Sequence, residues 1–288
     1  MTFLDVLQKS PAWLYATVGL LGLCVGSLLN VVIHRLPKMM QAQWRDDCAE
    51  LEGREPAPRE TYNLFTPRSA CPRCATPITA LQNIPVVSWV FLRGKCAKCA
   101  APISARYPAV EILGAAVALL MAWRFGYSGA LAYALVFGWA LVALTFIDFD
   151  TQLLPDDITL PLLWLGLIAN AWGAFTDLRS AVLGAVGGYL VLWTVYWAFR
   201  LLAKKEGMGY GDFKLLAALG AWTGWQVLPV TIVVSAGLGA VIGSAALWLS
   251  RKGSDTRIPF GPYLALGGIA GLVWGREAVT AWVGHFPA

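Results

Sequence analysis

Two sets of side chains in this sequence have the type and spacing to do chemistry. The first set is carboxylate. Asp148 closes an unbroken apolar run in Phe146-Ile147-Asp148-Phe149-Asp150, and Asp212 closes Gly207-Met208-Gly209-Tyr210-Gly211-Asp212. An ionisable group beside a long apolar run is costly to keep there and is usually functional. Two carboxyls at one depth fit an aspartic-protease dyad, in which one ionised group activates water and one protonated group hydrogen-bonds the scissile carbonyl. For Asp212 the alternative is plain capping, because Asp is favoured near helix N-termini. The same holds for Asp156 and Asp157, which are read as boundary residues together with Asp150. Asp148 does not suit that alternative, since it would sit at the unfavourable C-terminal end of its helix. Histidine chemistry has little material, because His34 and His285 are the only two in the chain.

The second set is thiolate. Cys71-Pro-Arg-Cys74 and Cys96-Ala-Lys-Cys99 form two CxxC pairs separated by 21 residues. This is close to zinc-ribbon spacing, in which two knuckles offer four thiolates to one tetrahedral ion. A pair of disulfides is the competing reading, disfavoured if the segment faces a reducing compartment. A closed tetrathiolate leaves no open coordination position, so such a metal would be structural. Cys24 and Cys48 are read as ordinary residues.

The elements that must position these groups are membrane helices. Apolar residues make up 58% of the 288 residues and charged residues only 14%, against about 25% charged in a soluble average. A disordered chain, a secreted disulfide scaffold and a soluble nucleic-acid binder are thereby excluded. Eight apolar stretches fit transmembrane helices, roughly 12–33, 109–123, 130–147, 158–175, 181–199, 213–225, 227–249 and 260–274. The sixth is short and glycine-rich, which fits a tilted or half-spanning helix. The first is too long for a signal-peptide h-region and reads as a retained span. The expected fold is therefore an all-α polytopic membrane protein of about eight spans. Its expected parts are a first span (1–34), a cytoplasmic loop domain carrying the four-cysteine zinc site (35–107), and a membrane-embedded peptidase part (108–288).

Charge placement sets the expected orientation. Eleven of the 22 Lys and Arg residues lie between Arg35 and Arg106, beside six acidic residues. With that loop inside and eight alternating spans, the inner side also receives Arg200, Lys204, Lys205, Lys214, Arg251, Lys252 and Arg257. The outer side keeps Lys9, Arg124, Arg179 and Arg276. Eighteen against four places the loop and both aspartates at the cytoplasmic face.

The sequence resembles the bacterial type IV prepilin peptidases, also called prepilin leader peptidase/N-methyltransferases, of the GxGD intramembrane aspartic proteases. The resemblance runs through Gly26-Ser27-Leu28-Leu29-Asn30 to His34-Arg35-Leu36-Pro37, Pro67-Arg68-Ser69-Ala70-Cys71, Leu92-Arg93-Gly94-Lys95-Cys96, Ile103-Ser104-Ala105-Arg106-Tyr107-Pro108 and Glu111. It continues through both Asp motifs and Pro259-Phe260-Gly261-Pro262-Tyr263. It implies that Asp148 and Asp212 are the catalytic pair. It also implies cleavage of the basic leader of prepilins and pseudopilins, then N-methylation of the new terminus by S-adenosylmethionine, in the bacterial inner membrane. No glycine-rich Rossmann site for the methyl donor is present in the loop, and Gly94 and Glu111 are the candidates for that step. Besides substrate, the expected partner is the lipid bilayer, with no nucleic acid. The competing function class is a transporter or ion pathway, with Asp148 and Asp212 as charge carriers.

Overall fold

Backbone amides cannot stay unpaired in hydrocarbon, so apolar runs close on themselves as helices. The computed structural model describes residues 3–55, 60–204, 208–250 and 259–283. Lys205, Gly207, Arg251, Lys252, Arg257 and His285 lie outside the described residues. The order is α1 (Phe3–Lys9), α2 (Pro11–Leu51), α3 (Val87–Phe91), α4 (Arg106–Phe125), α5 (Gly129–Thr151), α6 (Asp156–Ala171), α7 (Leu178–Ala203), α8 (Tyr210–Thr223), α9 (Leu228–Ser250) and α10 (Gly261–Val283). Extended pairing among the described residues is limited to isolated bridges, Ala70 with Pro77 and Lys95 with Pro102.

Each of the eight apolar stretches falls on a helix, but 158–175 overruns α6, which ends at Ala171, and 213–225 overruns α8, which ends at Thr223. Among the described residues, five segments are long and apolar enough to cross a membrane: Pro11–Leu51, Arg106–Phe125, Gly129–Thr151, Leu178–Ala203 and Leu228–Ala245. The protein is an all-α membrane protein. Helix α8 has 14 residues, about 21 Å at 1.5 Å per residue, which is short of a full crossing. The first helix departs from the expected limits. It runs on through Pro37 for 41 residues, because Lys38 to Leu51 is rich in strong helix formers such as Met, Gln, Ala, Glu and Leu. The polar segment therefore begins as a helix.

The chain packs as two units, Met1–Tyr127 and Ser128–Ala288. In the first, α2 lies against α4 through small residues. A Cβ on Gly22 would fall 2.6 Å from Ala115 Cα, and one on Gly26 would fall 2.6 Å from Glu111 Cα. In lipid no hydrophobic force drives helices together, so such close backbone approach supplies the attraction. The polar segment docks on α2 through Arg35, which is buried. Its guanidinium donates to Asn63 O (2.8 Å) and Pro67 O (2.6 Å) and lies over the Tyr62 ring.

In the second unit α8 is central and almost wholly buried. Gly184 and Gly188 of α7 meet Gly220 and Leu216 of α8 backbone to backbone. On the α6 side, Trp222 Nε1 donates to Leu162 O at 2.8 Å. Asn170, also buried, donates to Ala221 O and Trp222 O and accepts from the amides of Phe175 and Thr176. Asp177 directly precedes α7, and its carboxylate accepts the Ser180 amide at 2.9 Å as the helix cap.

Candidate active site and metal centre

Asp148 lies in the last turn of α5, followed by a left-handed Gln152 (φ 54) whose amide donates back to Asp148 O. That end of a helix carries the negative pole of the dipole and does not favour a carboxylate. The compensation comes from elsewhere in the chain. The first residue of α10, Gly261, donates its amide to Asp148 Oδ2 at 2.9 Å. Asp148 is thus held at the N-terminus of α10 rather than by its own helix. Gly261 also makes room for it, since a Cβ there would lie 2.7 Å from the same oxygen.

Asp212 is the third residue of α8, and its Oδ2 accepts the Gly209 amide at 3.2 Å. The capping contact expected of it is therefore made. It does not account for the surroundings, because Asp212 is buried, as is Asp148. Leu154 fills the space between the two glycine turns. Its side chain would meet a Cβ on Gly211 at 2.8 Å and one on Gly261 at 3.1 Å. The structure thus unites the two sequence-separated aspartates, each bonded by one backbone N–H at a helix start.

The other carboxylates behave differently. Asp150 and Asp157 are exposed. Asp156 starts α6 and pairs with Lys214 of α8 at 2.7 Å, an ion pair sequence reasoning did not anticipate. Gly261 was visible only as part of a motif. Its role depends on a contact across 113 positions, which no local pattern announces.

The four loop cysteines converge. Their Sγ atoms lie within 4.8 Å of one another, with Cys71–Cys99 at 3.8 Å and Cys74–Cys96 at 4.0 Å. Four ligands at the usual Zn–S length of about 2.3 Å in a tetrahedron stand about 3.8 Å apart. The cluster could bind zinc. Each pair sits on the same local frame: the Cys71 amide donates to Thr76 O and the Cys96 amide to Ala101 O. The residue after each second cysteine, Ala75 (φ 53) or Ala100 (φ 55), is left-handed. The sequence signal is a repeat, Cys-x-x-Cys-Ala-x-Pro-Ile, at 71–78 and 96–103.

The thiols are unequal. Hydrogen bonds from the Thr76 hydroxyl and then its amide bring Cys74 down to about 6. The Cys99 and Lys98 amides lower Cys96. At Cys99 the Ala101 amide pulls downward, but burial and the neighbouring thiols push it up to about 11. Four thiolates this close need a cation to ionise together, which is the task of a metal. Cys24 and Cys48 are exposed and take no part.

Gly94 and Glu111 belong to the same first unit. Gly94 (φ 66) carries the Trp89 indole on its open face, where a Cβ would lie 2.9 Å from Trp89 Cζ2. Trp89 Nε1 donates to Ile103 O at 3.1 Å, tying α3 to the second knuckle. Buried Glu111 accepts the Val86 amide at 2.7 Å and a further bond from the Ser27 side chain.

Residues 20–125 match the bacterial peptidase A24 N-terminal domain, and residues 135–244 match the type IV leader peptidase family. The chain is 52% identical to a prepilin leader peptidase/N-methyltransferase of Pseudomonas aeruginosa, covering 98% of both chains. It is 51% identical to one of Aeromonas salmonicida, again over 98% of both, and 46% identical to one of Legionella pneumophila over 96% of both. No solved structure matches the chain. With both halves matched by family models and relatives aligned end to end, the chain belongs to the type IV leader peptidase family.

Proposed function

We propose that this chain removes the basic leader from prepilins and pseudopilins by a two-aspartate mechanism. It then N-methylates the exposed terminus, with S-adenosylmethionine as donor. The observation that carries the peptidase reading is the meeting of Asp148 and Asp212, both buried and each held by one backbone amide. One carboxyl, ionised, takes a proton from water as the oxygen attacks the scissile carbonyl carbon. Its protonated partner gives its proton to the carbonyl oxygen, so no bare oxyanion forms in a low-dielectric site. When the C–N bond breaks, the first carboxyl returns its proton to the leaving amine. The carbonyl re-forms and the second carboxyl recovers its proton. Gly209 and Gly261 keep one oxygen of each carboxyl occupied and leave the other for this traffic.

Cys71, Cys74, Cys96 and Cys99 hold one structural zinc in this reading, and residues 35–107 form the zinc-bearing loop between the first span (1–34) and the peptidase part (108–288). The chain sits in the bacterial inner membrane with the loop and dyad facing the cytoplasm, supported by the eighteen-to-four placement of basic residues. S-adenosylmethionine supplies a sulfonium-bound methyl group. Gly94 and Glu111 serve that step by positioning: Gly94 seats Trp89, and Glu111 seats the start of α3. The charge-carrier reading is not retained, because it gives the cysteine-bearing loop no task. The deciding experiment incubates purified protein with a prepilin, with and without S-adenosylmethionine, and reads the product N-terminus by mass spectrometry. An intact leader after incubation would overturn the proposal.

A further inference from the structure

The polar loop contains one stretch that does not suit water. In Leu81-Gln-Asn-Ile84-Pro-Val-Val87-Ser-Trp-Val90-Phe91, five large apolar side chains are exposed: Leu81 (77%), Ile84, Val87, Val90 (60%) and Phe91 (83%). On α3 the exposed three are Val87, Val90 and Phe91, at i, i+3 and i+4, which is one face of a helix. The opposite face holds Trp89, turned inward to Gly94 and Ile103 O.

The depth of this turn is fixed independently. Val86, which caps α3, donates to Glu111. Glu111 is five residues past Arg106 along a membrane-length helix, about 8 Å inward. On the facing helix its Cα abuts Gly26, which lies seven residues before Ile33. That is roughly 10 Å inside the end of the first apolar run. The start of α3 is therefore held below the polar end of both helices, with its apolar face open. Directly after it come the exposed cations Arg93, Lys95 and Lys98.

We infer that the turn 81–91 is an interfacial anchor whose Val87, Val90 and Phe91 face enters the bilayer beside α4, with Arg93 and Lys95 against anionic headgroups. The apolar face continues the lipid-facing surface of the spanning helices, and the flanking basic residues complement a negative lipid surface. The occupant is lipid rather than protein.

The test places a nitroxide, through Phe91→p-acetylphenylalanine and oxime coupling, on the full-length protein in phosphatidylethanolamine–phosphatidylglycerol vesicles. This chemistry leaves the cysteines untouched. The same label at Leu20, exposed well inside the first apolar run, is the lipid reference, and at Trp44 the water reference. The label at 91 is expected to be broadened by oxygen nearly as strongly as at 20, and shielded from chromium oxalate relative to 44. Chromium access at 91 equal to that at 44 puts the turn in water and overturns the inference. Exclusion of both reagents means that protein covers the face, and overturns it equally. A label at Val90 gives the same readout should the position-91 variant fail to insert.

Discussion

Gly261 touches Asp148 twice, once with its amide and once by having no side chain. Replacing it separates chemistry from folding better than removing the carboxylates does. In Gly261→Ala the new methyl would lie 2.7 Å from Asp148 Oδ2, so the carboxyl must swing away. A displacement of that order costs about 10²-fold in rate when the moved group is part of the reacting constellation. Prepilin cleavage should fall by about that factor, with membrane insertion and zinc content unchanged; a variant cutting at the wild-type rate would show that the α10 amide does not matter. Asp148→Asn and Asp212→Asn should each abolish cleavage, since base and acid are separate tasks, whereas the exposed Asp150→Asn should remain active. The aspartates were legible because a carboxylate ending an apolar run is conspicuous. Gly261, Gly209 and Leu154 were not, because their roles are long-range contacts through backbone and shape.

At the scale of elements, the knuckles and the α6–α8 seam carry separate predictions. The CxxC spacing disclosed the metal cluster, and helical periodicity was not needed to find it. Its frame is a repeated hairpin of six backbone-linked residues, so losing one ligand opens one knuckle without a substitute from the other. Purified wild-type protein should hold close to one zinc per chain by elemental analysis. Cys71→Ser and Cys99→Ser should lose most of it, because a neutral hydroxyl is a poor replacement for a thiolate; Cys24→Ser should change nothing. The seam depends on Asn170, whose amide group makes four backbone contacts in a buried place. Unpaired buried polar groups cost about 1–3 kcal/mol each, so Asn170→Ala should lower the thermal midpoint by several degrees in detergent. Unaltered melting would mean that water replaces the amide there. Sequence reading saw only an apolar segment at 158–175, since an asparagine inside one gives no sign of what it binds. It likewise ended the first helix at Ile33, where the hydropathy changes but the helix propensity does not.

Across the whole molecule, the two proposed reactions draw on different units of the chain. Asp148 and Asp212 belong to Ser128–Ala288, while the cysteine cluster, Gly94, Trp89 and Glu111 belong to Met1–Tyr127. Methyl transfer needs a neutral amine and a sulfonium carbon held in line, and no pair of carboxyls is required to attack a methyl group. A substrate supplied already trimmed to its mature N-terminus should therefore be methylated by Asp148→Asn and Asp212→Asn at close to the wild-type rate. The reverse separation follows from the Gly94 contact. A side chain there displaces the indole of Trp89 and with it the bond to Ile103 O, which ties α3 to the second knuckle. Gly94→Val should thus depress methylation of the trimmed peptide while cleavage of the full prepilin persists, both read by mass spectrometry on one sample. Glu111→Gln, which retains an oxygen for the Val86 amide, should keep more methylation than Glu111→Ala. Loss of methylation in both aspartate variants, with zinc content and folding intact, would mean that the dyad serves both steps and that the division between the units is not functional.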